Sequence, residues 1–185
     1  FFTLNGVSVP SPIQRPRPPL WVGGWSVAAI RRAAALGDAW IGGLTANMAK
    51  VAECIGHYRS ALASLGKPAA DSRIGLEREV FVAADRRDAE AARAAIHRMY
   101  LEEHVAWAHT NMPAGQSPSF DDLARDRFIV GDPDEVAHQV TRYRDLGVTH
   151  LICRMQYPGL SPRLAAESMR RFAAEVMPGL RVAAA

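Results

Sequence analysis

Apolar positions along the chain follow two alternating rhythms. Short runs of strand length occur at residues 20–24, 39–41, 74–83 and 150–156. Between them apolar residues recur every three or four positions, the period of one face of a helix. Val51, Ile55, Tyr58, Leu62 and Leu65 form the cleanest stripe, opened by Asn47 and ended by Gly66 and Pro68. Ile30, Ala33 and Ala34 mark an earlier helix, capped by Ser26 and closed by Gly37. Ala92, Ile96 and Met99 mark another, starting at Asp85 and running toward His109. The strongest start is Asp132-Pro133-Asp134-Glu135, with a capping Asp, a Pro at the first helical position and a Glu at the third. It leads into Val136, Val140, Tyr143 and Leu146 and stops at Gly147. Residues 111–119 read as a loop. Ser161-Pro162 opens a last helix with Leu164, Met169, Phe172 and Val176 inward, ended by Pro178-Gly179.

The order is strand then helix, four times over, with strands apolar on both faces. That pattern predicts an α/β fold with a parallel sheet and helical crossovers. Two architectures fit: half of a (β/α)8 TIM-type barrel, or a small open doubly wound sheet. Four parallel strands are few for an open sheet, which favours the half barrel. Residues 1–185 then form one domain, with 1–19 a Pro-rich connector and 20–185 the four strand-helix units. Pro10, Pro12, Pro16, Pro18 and Pro19 exclude a helix from the connector, and Asn5-Gly6 signals a hairpin within residues 1–9. The first residue is Phe1 and no secretory pattern follows it, so the chain reads as a piece of a longer protein.

Composition changes this picture little. At 49% hydrophobic and 22% charged residues, the chain is ordinary for a globular core. Its net charge of +3 comes largely from arginines scattered as pairs at 31–32, 86–87 and 170–171. These read as solvated helix faces, not as a nucleic-acid patch. No apolar run approaches the roughly 20 residues of a membrane span. Cys54 and Cys153 have no partner at metal or disulfide spacing and read as small buried hydrophobes of a reducing, cytoplasmic compartment.

Candidate chemistry gathers where strands end. Gly23-Gly24-Trp25-Ser26 joins the first strand to its helix, and Gly42-Gly43 ends the second strand beside it. Glycine admits a ligand close to the backbone, and unpaired first-turn N–H groups suit a phosphate; the alternative is that both pairs serve only the turns. The dinucleotide spacing G-x-G-x-x-G is absent. In the fourth strand Arg154 and Gln156 share a face, opposite Cys153 and Met155. Arg154 either meets an anionic ligand or pairs with Glu77 or Glu79. His104 and His109, with Glu103 and Trp107, are candidates to line a pocket, whereas His57, His97 and His138 read as surface residues. No histidine pair has metal-ligand spacing, so no metal site is assigned. Lys50 and Lys67 lie away from strand ends, which argues against an isomerase or aldolase with a lysine base.

Three stretches taken together, RPRPPLWVGGWSVAAIRRAAALGDAWIGG, FIVGDPDEVAHQVTRYRDLGVTHLICRMQYPG and FAAEVMPGLR, resemble the C-terminal half of the luciferase-like monooxygenases. These are flavin- or deazaflavin-dependent oxidoreductases on a (β/α) barrel. The resemblance implies that the four strands are barrel strands five to eight. It implies that Gly23, Gly24, Trp25 and Ser26 contact the flavin phosphate and ribityl chain, although Trp25 stands where the family commonly has a small residue. It implies further that Gly42 and Gly43 line the cofactor or substrate cavity, and that Arg154 and Gln156 face it. The implied cofactor is FMN, with the deazaflavin coenzyme F420 as alternative. The implied reaction is that of a reduced flavin on a small organic substrate with dioxygen. A flavin reductase or NAD(P)H would be the electron source, and a homo-oligomer the assembly. The family's remaining catalytic side chains come from strands one to four, so no catalytic residue is assigned and this piece alone is expected to be inactive. The alternative is a non-catalytic flavin-binding or structural barrel subunit.

Overall fold

A computed structural model describes residues 3, 5–6, 12–70, 72–105 and 118–180. Five strands alternate with helices: β1 (Trp21–Gly23), α1 (Val27–Leu36), β2 (Ala39–Gly42), α2 (Met48–Ser64), β3 (Arg73–Val82), α3 (Arg86–Met99), α4 (Phe120–Ala124), β4 (Ile129–Gly131), α5 (Pro133–Leu146), β5 (His150–Arg154), α6 (Pro162–Arg171) and α7 (Met177–Leu180). Wider π-helical turns extend α3 through residues 100–105 and join α6 to α7. All pairings are parallel. The order is β1-β2-β3-β5, with Trp21 opposite Ala39, Ile41 opposite Gly75 and Glu79 opposite Arg154. The last three residues of β3 pair with β4.

The α/β reading and its helix starts hold. Ser26, Asn47, Asp85 and Asp132 each accept a hydrogen bond from the third residue into their helix. Asp132 and Glu135 complete a reciprocal cap, and Gly147 ends α5 in the left-handed conformation. Among the described residues the four expected strands become five. β4 has three residues, too few to show a period, and it exists because the end of β3 offers it a free edge. The hairpin expected within residues 1–9 falls largely outside the described residues. Met169 is 45% exposed, not inward, because Ala165 and Ser168 take the buried face of α6. Leu65 likewise lies beyond the end of α2 and is exposed.

β3 separates two apolar clusters. Ile74, Leu76, Val80 and Val82 point toward the helices, where they pack with Ile30, Trp40, Val51, Tyr58 and Val136. Alternate residues point to the inner face, and there Phe81 joins Tyr100, Leu123, Phe128 and Tyr157. The lower part of the inner face is open: Trp21 is 36% and Ile152 42% exposed. A Cβ at Gly75 would sit 2.7 Å from the Trp21 ring, so glycine there makes room for an indole lying across the sheet. Trp21 also meets His150 edge-on at 5.0 Å. An apolar sheet face that is open among the described residues, flanked by strand edges they leave unpaired, favours association. The 185-residue chain alone is therefore expected to sediment as concentration-dependent oligomers; a compact monomer at all concentrations would contradict this.

Candidate functional site

The two glycine-rich corners are built differently from each other. Gly24 has φ of +138°, and a Cβ on it would stand 2.6 Å from the Cβ of Ala29. Backbone conformation and the first turn of α1 thus both require glycine at position 24. Its carbonyl accepts a 2.9 Å hydrogen bond from Trp40 Nε1. Ser26 Oγ is occupied as the helix cap, accepting from Ala29 N at 3.2 Å. Trp25 turns its ring onto Gly42, where a Cβ would lie 2.7 Å from Cη2, and meets Trp40 edge-on at 5.8 Å. Glycine at position 42 therefore seats an indole. Gly43 differs from both: among the described residues a Cβ there would meet nothing within 4 Å.

These corners share one cavity of about 450 Å³. Gly23, Gly24, Trp25, Gly42 and Gly43 line it, with Leu44 and Thr45 beyond them and Glu77 and His104 across from them. Five of the six glycine-corner residues singled out in the sequence thus meet around one space. Ser26 is not in its wall. Arg154 and Gln156 are not in it either. Arg154 is half-buried and pairs with Glu103 at 3.8 Å, a partner other than Glu77 or Glu79, the pairing weighed against an anionic ligand. Gln156 lies past the end of β5, so strand alternation no longer aims it; its amide donates to the carbonyls of Tyr157 and Leu160. His104 lines the cavity as expected, while His109 and Trp107 lie outside the described residues. His97 is half-buried, with Nε2 2.9 Å from the Pro118 carbonyl, and is not a free surface group. Among the described residues no cluster of three or more His, Cys, Asp or Glu could hold a metal ion, and no helix is long and apolar enough to cross a membrane.

Sequence reasoning missed Arg78, behind the cavity wall, and named Glu79 only as a possible partner of Arg154. Both are fully buried and point to opposite faces of β3. The Arg78 guanidinium donates to the carbonyls of Gly43 (3.1 Å), Leu44 (3.4 Å), Ala46 (2.8 Å) and Glu77 (2.9 Å), and Nε donates to Tyr143 Oη at 3.0 Å. It also lies over the Tyr143 ring, 4.9 Å from its centre. Arg78 therefore holds the β2–α2 loop against the sheet. On the inner face Glu79 Oε2 accepts from Tyr100 Oη at 2.9 Å, and Oε1 has no hydrogen-bond partner among the described residues. Burial pushes the Glu79 carboxyl up to about 7, against the pull of Tyr100 and of the nearby Arg154 and Arg78. The available signal was three consecutive charges, Glu77-Arg78-Glu79, inside an otherwise apolar strand.

Parallel α/β folds place ligands where strands end, and here the glycine-rich strand ends close on one cavity. Within that class the chain belongs to the luciferase-like monooxygenase family, whose sequence model matches residues 1–150. No curated protein sequence matches the chain. Among solved structures it resembles the monooxygenase RslO1 of Streptomyces bottropensis, with 23% identity over 91% of this chain and 50% of that one and a TM-score of 0.73. It resembles the coenzyme F420-dependent tetrahydromethanopterin reductase of Methanopyrus kandleri at 15% identity over 88% and 51%, with a TM-score of 0.65. It also resembles the oxygenating constituent of 3,6-diketocamphane monooxygenase of Pseudomonas putida, solved with FMN, at 18% identity over 87% and 48%, with a TM-score of 0.65. At these identities the likeness is one of fold, and the chain spans about half the length of each of these proteins.

Proposed function

We propose that the chain is the C-terminal half of a flavin-dependent oxidoreductase of the luciferase-like class. In this reading residues 1–185 form one barrel half, with 1–19 the connector; β1, β2, β3 and β5 are barrel strands five to eight, and β4 is an addition on the end of β3. FMN is the favoured cofactor and F420 the alternative. Both carry a phosphate, which suits glycine-cleared main chain at a strand end. The observation that carries the reading is the single cavity joining the two glycine corners, with Gly43 open to a ligand.

The residues present fit such a group. Gly23, Gly24, Gly42 and Gly43 keep the wall at backbone height, and Trp25 offers an apolar surface beside them. Ser26 acts by fixing the start of α1. Arg154 and Gln156, outside the cavity wall, act on substrate only through the loops around them. When bound, the flavin supplies the redox chemistry, and the protein's part is to bind and orient it and exclude water. The complete enzyme acts on a small organic substrate with dioxygen, takes electrons from NAD(P)H or a flavin reductase, assembles as a homo-oligomer and works in the cytoplasm. Titration with FMN and with F420, read by fluorescence quenching, tests the reading. Saturable binding of one of them is expected, and binding of neither would overturn it. Flavin binding by the complete protein without turnover on a substrate panel would select the non-catalytic alternative.

A further inference from the structure

Tyr100 has one hydroxyl hydrogen and two acceptors in reach. Its Oη lies 2.9 Å from Glu79 Oε2 and 3.3 Å from the Leu44 carbonyl, and all three residues are buried. A phenol donates once and can also accept, so the Glu79 proton decides how the three groups connect. A protonated Glu79 donates to Tyr100 Oη, and Tyr100 passes its own hydrogen to the Leu44 carbonyl. An ionised Glu79 only accepts, so it takes the phenol hydrogen and the Leu44 carbonyl loses it. The carbonyl then keeps only a long contact of 3.4 Å from Arg78 Nη1. That nitrogen has two hydrogens and two nearer acceptors, the Gly43 carbonyl at 3.1 Å and the Glu77 carbonyl at 2.9 Å. The Leu44 carbonyl therefore depends on Tyr100.

The neighbours of Glu79 decide when it ionises. From β5, Arg154 faces it but is paired with Glu103. Tyr157, just past β5, has its hydroxyl on the Val80 and Arg154 carbonyls. On β3 itself Arg78 lies on the opposite face, and Glu77 lines the cavity. The extension of α3 brings Tyr100 and His104, whose rings meet edge-on at 4.6 Å. Arg127, ahead of β4, adds its charge on the Tyr100 side. Among the described residues none of these groups donates to Glu79 Oε1. A buried carboxylate with one donor is poorly compensated, and burial pushes the carboxyl up to about 7. The proton therefore comes and goes near neutrality. Its effect reaches the cavity, because Gly43, Leu44 and Thr45 line it.

We propose that Glu79 and Tyr100 are positioning residues that form a proton-operated latch on the β2–α2 loop. A protonated Glu79 fastens the Leu44 carbonyl through Tyr100, and an ionised Glu79 releases it and loosens the cavity wall.

The test follows the carbon-13 shifts of the Glu79 carboxyl and the Leu44 main-chain carbonyl by NMR on the full chain, between about pH 5 and about pH 8. The two are expected to move together, with one midpoint. In Tyr100→Phe, Glu79 should still titrate while the Leu44 shift no longer follows it. In Glu79→Gln the new amide donates to Tyr100 as the protonated acid does, so the Leu44 shift should stay at its low-pH value. A Leu44 shift that ignores Glu79 in the unaltered chain, or still tracks it in a folded Tyr100→Phe, overturns the inference. If Glu79→Gln does not fold, the unaltered chain and Tyr100→Phe carry the test. Riboflavin, which has no titrating phosphate, reads the cavity. Its affinity is expected to fall about threefold or more over the same pH range, the weight of about one neutral hydrogen bond, and the fall should vanish in Tyr100→Phe. An equal fall in both chains, or none in the unaltered one, overturns the inference. This arm alone rests on the flavin reading: if riboflavin binds at neither pH, that reading fails and the carbonyl shifts decide the latch.

Discussion

Gly24→Val is expected to destabilise the fold, whereas Gly43→Val is expected to spare the fold and weaken ligand binding. At position 24 two effects act together. A φ of +138° is a region that a β-branched residue rarely adopts, and the new side chain meets Ala29 on α1 at its first atom. Backbone strain and overpacking at such a site cost about 3 kcal/mol or more. At position 43 neither effect operates, because among the described residues nothing lies within 4 Å of the added Cβ. Stability should change by less than about 0.5 kcal/mol, as for other unconstrained surface positions. A ligand resting on the bare backbone would be lifted off, and FMN affinity should fall about tenfold or more. Urea unfolding and FMN titration on the two variants check this. Equal loss of stability in both, or unchanged FMN affinity in a folded Gly43→Val, contradicts it.

Stability should fall as pH rises through neutrality, and Glu79 should be the cause. In the folded chain its carboxyl is pushed from 4.5 to about 7 by burial, so the native state holds a proton that the unfolded chain releases. The native state then binds more protons in this range, and unfolding free energy decreases with pH. The contribution is fully present below the ordinary carboxyl range and is lost as pH climbs through 7. Between about pH 5 and about pH 8 the loss is about 2 to 3 kcal/mol. Glu79→Gln keeps the Tyr100 hydroxyl partnered and removes the titration, so its stability should be nearly flat over the same range. Urea midpoints across pH measure the slope. A slope that persists in Glu79→Gln assigns it to another group.

Local features of this fold were legible in the sequence, and features that depend on distant partners were not. The start of α5 was plain because Asp132, Pro133 and Glu135 satisfy one another within four residues. The Val51-to-Leu62 stripe was plain because one face of one helix is buried. β4 was hidden because three residues carry no period and its pairing partner lies some 50 positions earlier. The glycines of the site were legible as a group but not as individuals. Gly24 answers to Ala29, Gly42 to the ring of Trp25, and Gly43 to nothing among the described residues. Only the folded arrangement separates these three. The same holds for Arg78, a charge in a strand whose partners are carbonyls, groups that every residue carries and no sequence pattern marks. Strand alternation also overreached by two residues, carrying Gln156 onto a face that β5 no longer has.

The seating of Trp25 has a mechanical consequence. Its indole rests on the α-carbon of Gly42 and against Trp40, and the Trp40 nitrogen grips the carbonyl of Gly24. The two corners are therefore riveted to each other through a pair of tryptophans, and neither can swing out without dragging its neighbour. The rim on this side is thus built as one joined unit, its outline set by two indoles and not by either loop alone.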